Sequence, residues 1–232
     1  MTTIVLEESA EPAREERRYR RRRQPFGDHV ADAVAALQRD YLRHDSYAIA
    51  VMARLRAALT NPPGSDYTIL SHTQVSDVFL GSHLGDEPTD AEWAKHLALA
   101  LYALHQQSIY DTPMHRDGVG LGSAIGELSM KTASEDAVRR RFAALGTAIS
   151  FDEVTYHLRS LIRLLRDKRI AIDYGLLADD LRALRHPDGQ VRIRALWGRE
   201  YYRRSATTGS DVPSAETSSE QATDRVATPD KE

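Results

Sequence analysis

The sequence predicts an all-α domain of about eight or nine helices, and three observations lead to this fold class. Apolar residues recur at intervals of three and four along most of residues 26–204, which places them on one face of a helix. Residues 89–109 are apolar on nearly every face, as expected for a buried central helix. Residues 191–197 alternate like a strand, but no second segment could pair with them, so we predict a helix there too.

The first half of the domain is predicted to contain four helices. Asp28 is available to cap the first helix, and the helix-breaking segment 61–64 follows the second. The third is a short helix at 72–80, and the fourth is a long helix that begins near Thr89 and ends near Ile109. The apolar positions, helix by helix, are Val30, Val34, Leu37 and Tyr41; Ala48, Met52, Leu55 and Leu59; Val75, Val78 and Phe79; and Trp93, Leu97, Ala100, Leu101 and Leu104.

Four further helices are predicted after Leu121, and the segment 190–203 adds a last one. Ser134, Ser150 and Asp173 are the predicted caps. The inward-facing residues are Leu121, Ile125 and Leu128; Val138, Phe142 and Leu145; Val154, Leu158, Leu161, Ile162 and Leu165; Leu177, Leu181 and Leu184; and Ile193, Trp197 and Tyr201. The loop at 111–120 contains one proline and two glycines, so it could separate two helical lobes.

Both ends of the chain differ in composition from the helical domain at 26–204. Residues 1–25 contain almost no aliphatic side chains after Leu6 and carry six arginines between Arg17 and Arg23, which predicts a flexible arginine-rich arm. Residues 205–232 are rich in Ser, Thr, Ala and acids and lack aromatic side chains, which predicts a disordered acidic tail.

The composition excludes several classes of protein. Hydrophobic residues make up 41% and charged residues 28% of the chain, as in ordinary soluble domains. No apolar run reaches the length of a membrane span, and the first residues do not form a signal peptide, so we expect no membrane association. The chain has 0 cysteines, which excludes disulfides, cysteine-ligated zinc and thiol nucleophiles and favours the cytoplasm.

The overall charge of -3 conceals an acidic half and a basic half. Residues 24–130 contain 6 basic and 13 acidic side chains, whereas residues 131–204 contain 16 basic and 10 acidic side chains. Such an asymmetry can mark a surface that binds nucleic acid. The alternative is that these charges only solvate the helices.

Arginines in the basic half are the best candidates for a binding site, because the planar guanidinium donates two hydrogen bonds to a phosphate. Arg159, Arg163 and Arg166 are spaced i, i+4, i+7 on the face opposite the leucines of one helix. The full predicted set is Arg159, Arg163, Arg166, Lys168, Arg169, Arg139, Arg140, Arg141, Arg116, Arg192, Arg194 and Arg199. Some of these could instead pair with neighbouring acids such as Asp167 or Glu200, so each individual assignment stays open.

Motifs for catalysis or cofactor binding have little support. The glycines at 118, 120 and 122 do not complete a dinucleotide fingerprint, because Ser123 stands where a further glycine or alanine would be required and no strand precedes them. His44-Asp45 resembles part of a metal-dependent phosphohydrolase site, but the other histidines show no ligand spacing. We therefore predict no catalytic residue, no metal and no cofactor.

An ordered set of short motifs resembles one protein family over residues 93–203. The motifs are Ala100-Leu101-Tyr102-Ala103-Leu104-His105-Gln106-Gln107-Ser108, His115-Arg116-x-Gly118, Leu121-Gly122-x-Ala124, Arg141-Phe142-x-Ala144-Leu145, the segment 157–166, Ile172-Asp173-Tyr174, Asp180-Leu181 and Trp197-Gly198-Arg199-x-Tyr201. In this order they resemble the CasB family, the small subunit of the type I-E CRISPR Cascade complex. The arm and the tail look like additions outside the family core.

The resemblance implies an all-helical subunit without a nuclease site. It implies, as partners, a second copy of the chain, the large CasA-like subunit, the CasC-like backbone subunits, the CRISPR RNA and the target DNA, chiefly its displaced strand. It also implies that basic surface stabilises the R-loop, which is a near-balanced exchange of duplexes. Arg159, Arg163, Arg166 and Arg199 lie in matching segments, Arg116 in the matched loop and Arg139–Arg141 beside Phe142, whereas Lys168, Arg169, Arg192 and Arg194 rest on charge alone.

Two other functions stay open at this point. The chain could be a purely architectural scaffold that contacts the other subunits but no nucleic acid. It could also be a metal-dependent phosphohydrolase that uses His44 and Asp45, which is the weaker alternative because the other histidines lack ligand spacing.

Overall fold

The computed structural model describes residues 21–81 and 85–209, with side chains described as far as Arg203. Most of the predicted arm and tail lies outside these ranges. The described residues confirm the all-α prediction, since they form 10 α-helices and no sheet. The helices are α1 Pro25–Leu42, α2 Ser46–Ala57, α3 Leu70–Thr73, α4 Asp77–Leu80, α5 Asp90–His105, α6 Leu121–Met130, α7 Glu135–Thr147, α8 Phe151–Asp167, α9 Tyr174–Leu184 and α10 Pro187–Gly209.

Helix α5 is the centre of the fold, as its apolar sequence predicts. Every side chain from Ala94 to His105 is buried, and α5 packs against α1, α2, α8 and α9. Its start is fixed by a capping box in which the Thr89 Oγ1 accepts from the Glu92 amide at 3.2 Å and the Glu92 carboxylate accepts from the Thr89 amide at 2.7 Å. The helix ends at His105, four residues before the predicted end.

Helices α6 and α10 pack closely against each other, and glycine makes this possible. A Cβ atom on Gly122 would overlap the backbone carbonyl of Trp197, and one on Gly120 would overlap the Glu200 carboxylate. The glycines that superficially resemble a phosphate loop therefore serve close helix packing. This approach brings the basic helix α10 against the body of the domain.

Most predicted helices and caps are present, and the differences have local causes. Ser150 and Asp173 accept the predicted capping hydrogen bonds. Ser134 accepts none, and α1 begins at Pro25, so Asp28 lies inside its first turn. Proline is favoured at the first helical position because its missing N–H has no helical partner there. The predicted helix at 72–80 is instead two single-turn helices, α3 and α4.

One hydrophobic core contains residues from both sides of the 111–120 loop. The loop itself is held in place by Gln106, whose side-chain oxygen accepts from the Met114 amide at 2.9 Å and whose amide group donates to the Thr112 carbonyl at 2.9 Å. Gln38 adds a third contact, because its oxygen accepts from the His115 amide at 2.8 Å. In the part of the chain that the structure describes, no helix has the length and apolar character to cross a membrane.

Candidate nucleic-acid interface

Helix α8 presents three predicted arginines on the side that faces away from the core. The helix begins after Ser150, whose Oγ accepts from the Glu153 amide at 3.1 Å, and its apolar face is buried. Arg159, Arg163 and Arg166 follow on the opposite side, because residues four and three apart lie above one another on a helix. We call these three residues the α8 stripe.

The members of the α8 stripe differ in how freely they could meet a phosphate. Arg163 is exposed and forms no ion pair with any side chain in the described ranges. Arg166 is half-buried, donates to the Gln107 side-chain oxygen at 3.2 Å and lies 3.5 Å from the Asp167 carboxylate. Arg159 is also half-buried and lines a pocket beside the stripe. Arg163 is therefore the most accessible cation of the three.

The predicted extension of the stripe at the end of α8 is partly neutralised. Arg169 has a positive φ of 54°, which directs the chain out of the helix. Its guanidinium donates to both carboxylate oxygens of Asp111, at 2.8 and 2.7 Å. Lys168 is exposed and has no ion-pair partner among the described side chains. Only Lys168 of these two residues keeps an uncompensated charge.

The other predicted cations outside α10 do not form one surface. Arg139 pairs with Asp136 at 2.7 Å, and Arg141 donates to the Ala137 carbonyl at 3.1 Å, both within α7. Arg140 is exposed between them, since three consecutive helical residues point in different directions. Arg116 is exposed on its loop, where its backbone amide donates to the Ile172 carbonyl at 3.0 Å.

A basic groove of about 880 Å³ runs along α9, α10 and the residues that precede α1. Arg192 and Arg199 of α10 line it, as two members of the predicted set spaced i, i+7. Three further arginines, Arg21, Arg22 and Arg182, line the same groove and were not in the predicted set. We call this feature the α10 groove. Five guanidinium groups in one concave surface attract a polyanion more strongly than scattered charges do.

The floor of the α10 groove contains two carboxylates that hold its walls together. Asp180 is fully buried and accepts hydrogen bonds from the Trp197 indole at 2.7 Å and from Arg21 at 2.8 Å. Asp179 accepts from the Gln24 amide at 2.7 Å, and burial raises the pKa of Asp179 to about 6. Asp180 thus offsets part of the charge of Arg21, whereas Arg22, Arg192 and Arg199 are exposed.

Arg194 does not belong to the α10 groove, although it lies between Arg192 and Arg199 in sequence. Its guanidinium is turned toward α7, where it donates to the Ala148 carbonyl and, at 3.3 Å, to the Gln190 side chain. It lines a small cavity of about 190 Å³ next to Phe142. A residue two positions from Arg192 is displaced by about 200° around the helix, which accounts for the separation.

The one group of His, Asp and Glu side chains with metal-ligand spacing in the described ranges consists of His115, Asp117 and Asp173. The guanidinium of Arg23 lies among them, since its Nε donates to Asp173 at 3.0 Å and its Nη2 pairs with Asp117. The Tyr174 amide donates to the His115 Nδ1 at 3.1 Å, so the other ring nitrogen of neutral His115 carries the proton. This cluster is therefore an arginine-binding site within the chain.

The two residues of the alternative phosphohydrolase hypothesis serve structural contacts. Asp45 caps α2 by accepting from the Ala48 amide at 2.8 Å. His44 stacks on the Tyr110 ring with their centroids 4.6 Å apart. Because neither belongs to the group with metal-ligand spacing, the geometry offers this hypothesis no further support.

The comparisons with known proteins agree on one family. The family model for CRISPR-associated protein Cse2 matches residues 51–202. The crystal structure of CasB from Thermobifida fusca is similar with a TM-score of 0.65 and 34% sequence identity, covering 78% of this chain and 99% of that chain. No match was found among curated proteins.

Two further solved structures share the fold at lower identity. A chain of a CRISPR RNA-guided surveillance complex has a TM-score of 0.57 and 22% identity, covering 78% of this chain and 98% of its own length. The crystal structure of M. ruber CasB has a TM-score of 0.55 and 21% identity, covering 77% of this chain and 97% of that chain. From the matched family model and the similarity to Thermobifida fusca CasB, we conclude that the chain belongs to the CRISPR-associated Cse2 family, also called CasB.

Proposed function

We propose that this chain is the non-catalytic small subunit of a type I-E Cascade surveillance complex and that it binds nucleic-acid backbone. Its family membership supports a place in such an assembly, and one structure of the same fold belongs to a CRISPR RNA-guided surveillance complex. Its expected partners are a second copy of itself, the CasA-like and CasC-like subunits, the CRISPR RNA and the displaced strand of the target DNA.

The α10 groove is the observation that carries this proposal. Arg22, Arg192 and Arg199 are exposed in a concave surface on rigid helical elements, where they can bind successive phosphates without selecting a sequence. The α8 stripe supplies a second basic surface centred on Arg163. Contacts of this kind shift the equilibrium toward the R-loop, because the RNA–DNA hybrid that forms is about as stable as the DNA duplex it replaces.

The acidic side chains near the basic surfaces support a non-catalytic role. Asp180 and Asp173 are buried and fully used as acceptors for Arg21, Trp197, Arg23 and backbone amides. A general base must instead be able to reach a proton on a bound substrate. Asp180 therefore stabilises Arg21 of the α10 groove, Asp173 stabilises Arg23 outside that groove, and both carboxylates contribute to binding only indirectly.

A purely architectural role is the second candidate, and the exposed apolar side chains favour it. Ile149 is 89% exposed and Val191 is 72% exposed, so both apolar side chains are available to contact another subunit. Under this alternative the same helices would contact subunits while the arginines only solvate the surface.

Reconstitution of the complex with guide RNA, with and without this chain, distinguishes the two candidates. We expect omission of the chain to weaken R-loop formation in a titration of target DNA at two salt concentrations. A complex containing Arg192→Ala and Arg199→Ala should assemble normally and show the same defect. If that complex forms R-loops as well as the unmodified one, direct binding by the α10 groove is excluded, and an unaffected complex that also carries Arg163→Ala would favour the architectural role.

A further inference from the structure

Three residues with a left-handed backbone meet at one place on the surface, next to the end of the α8 stripe. In the described ranges, the non-glycine residues with a positive φ are His44, Ser108 and Arg169, at 60°, 61° and 54°. They follow α1, α5 and α8, respectively. Such conformations persist where the surrounding structure fixes them, and they cluster at sites that bind ligands. The 107–111 loop, which contacts all three segments, is therefore a candidate site.

An aromatic stack at this site leaves one ring accessible. The Tyr110 ring stacks on the buried Tyr41, with centroids 4.9 Å apart, and on His44, with centroids 4.6 Å apart and an interplanar angle of 19°. The Tyr41 hydroxyl accepts from the Ser108 amide at 3.1 Å, which fixes the loop that carries Tyr110. His44 is exposed, and Tyr110 is the one ring that it contacts among the described residues. The second face of the His44 imidazole is therefore accessible to a flat ligand.

The α8 stripe ends at the same loop. Arg166 donates to the Gln107 side-chain oxygen at 3.2 Å, and Arg169 donates to the Asp111 carboxylate at 2.7 Å, which neutralises that acid. Lys168 lies between the two arginines in sequence and is exposed. A strand whose phosphates follow the α8 stripe toward Lys168 therefore brings its bases to the loop that carries the aromatic stack.

The acids next to His44 in sequence are engaged in other contacts. Asp45 caps α2 by accepting from the Ala48 amide at 2.8 Å, and Asp40 accepts from the Arg39 guanidinium at 3.0 Å. Arg43 precedes His44 directly and is exposed, so it adds a cation on this side of the ring. The surroundings of the imidazole therefore do not repel a phosphate backbone.

Stacking on a flat side-chain ring binds a base without selecting a sequence, because every base has a π face. We propose that the exposed face of His44 binds one unstacked base of the single strand whose phosphates the α8 stripe holds. His44 contacts the base, whereas Tyr110 and Tyr41 position the imidazole. This inference rests on the proposed function, because the α8 stripe must hold the strand to which the base belongs.

The test compares binding of a labelled single strand by the reconstituted complex with the unmodified chain and with its His44→Asn variant, at pH 8. Asparagine tolerates a positive φ, so the backbone is kept while the ring is removed. We expect His44→Asn to weaken binding about fivefold or more, and His44→Tyr, which keeps a ring, to retain most of the affinity. The slope of log affinity against log salt should stay the same, because stacking displaces no counterion. Unchanged affinity of the assembled His44→Asn complex would overturn the proposal.

A scan with single abasic sites along the strand identifies the base that stacks. For the unmodified complex, an abasic site should weaken binding most at one position, and the His44→Asn complex should show no further loss at that position. Tyr67→Asn is the matched control, since Tyr67 is an aromatic residue that is 83% exposed and lies outside the α8 stripe and the α10 groove. Additive losses at every position, or an equal loss with Tyr67→Asn, would contradict stacking on His44.

Binding of a fully abasic single strand to the same complexes separates this inference from the proposed function. If the abasic strand binds in a salt-sensitive manner that depends on Arg163, and His44→Asn does not weaken binding of the normal strand, the base site is wrong and the basic interface stands. If His44→Asn weakens binding of the normal strand alone, and Arg163→Ala leaves binding of both strands unchanged, the base site stands and the role of the α8 stripe is wrong.

Discussion

Arg21 lies against the buried carboxylate of Asp180, which is 159 residues further along the chain. The same carboxylate accepts the indole N–H of Trp197 at 2.7 Å. The end of the N-terminal arm, α9 and α10 are therefore joined at one point, on the floor of the α10 groove. This contact links the stability of the domain to the shape of its proposed binding surface.

Replacing Arg21 with alanine should destabilise the domain by about 3 kcal/mol, because it leaves Asp180 buried without its ion-pair partner. Urea unfolding of the isolated chain measures the change. Arg22→Ala is the matched control, since Arg22 is exposed in the same segment and should alter the free energy of unfolding by no more than about 0.5 kcal/mol. Equal effects of the two substitutions would contradict the structural role of Arg21.

The buried carboxyl group of Glu200 should make the free energy of unfolding depend on pH. Burial raises the pKa of Glu200 to about 7, so the folded chain binds a proton more tightly there than the unfolded chain does. The contribution of Glu200 to the free energy of unfolding is therefore greatest at low pH and falls as the pH rises toward 7. Because of Glu200, the unmodified chain should lose about 2 kcal/mol of unfolding free energy between pH 5 and pH 8, and the Glu200→Gln protein should not show this loss.

The measurement for Glu200 is the free energy of unfolding of both proteins at the two pH values. The glutamine of the Glu200→Gln protein keeps an oxygen that can accept from the Gly122 amide, which donates to Glu200 at 3.2 Å in the unmodified chain, so packing is preserved. Asp179 is present in both proteins, and its contribution cancels in the comparison. A difference between the two proteins that is the same at pH 5 and pH 8 would show that Glu200 is ionised throughout.

Gly122→Ala should destabilise the α6–α10 pair by about 2 kcal/mol or more, because the added methyl group overlaps the Trp197 carbonyl. Thermal unfolding is a sufficient measurement. Gly198→Ala on α10 is the control, since nothing lies within 4 Å of its added Cβ. That change should stabilise the helix by roughly 0.5–1 kcal/mol. A stable Gly122→Ala protein would require looser helix packing than the structure shows.

The predicted arginines should differ in their effect on nucleic-acid binding. Arg163 is exposed without an ion-pair partner in the described part of the chain, whereas Arg169 is held by both oxygens of Asp111. In the assembled complex, Arg163→Ala should reduce the slope of log affinity against log salt for single-strand binding by about 0.7, and Arg169→Ala should leave it nearly unchanged. Filter binding across a salt series measures the slope for both variants. A larger effect of Arg169→Ala than of Arg163→Ala would contradict this prediction.

Local sequence patterns account for the parts of the fold that were predicted correctly. Helix α5 follows from its uninterrupted apolar sequence, and the caps at Ser150 and Asp173 depend on residues two or three positions away. The start of α1 was missed, because Pro25 competes with Asp28 for the role of helix start. The fold class could be predicted because each helix carries its own signal.

The α10 groove could be predicted only in part, because it combines segments that are distant in sequence. Arg192 and Arg199 share a helix and a face, so their spacing indicates a common surface. Arg21 and Arg182 join them only through the packing of α1, α9 and α10. Arg194 was assigned to the same surface by charge, and its hydrogen bond to the Ala148 carbonyl places it elsewhere.

The most direct test of the central claim is the salt dependence of target binding by complexes that contain the triple variant Arg163→Ala, Arg192→Ala and Arg199→Ala. If these arginines bind phosphates of a displaced single strand, the slope of log affinity against log salt should become shallower by about 2, because each contact contributes roughly 0.7. An assembled variant complex with an unchanged slope would show that these three arginines bind no phosphate, which would contradict the proposed interface.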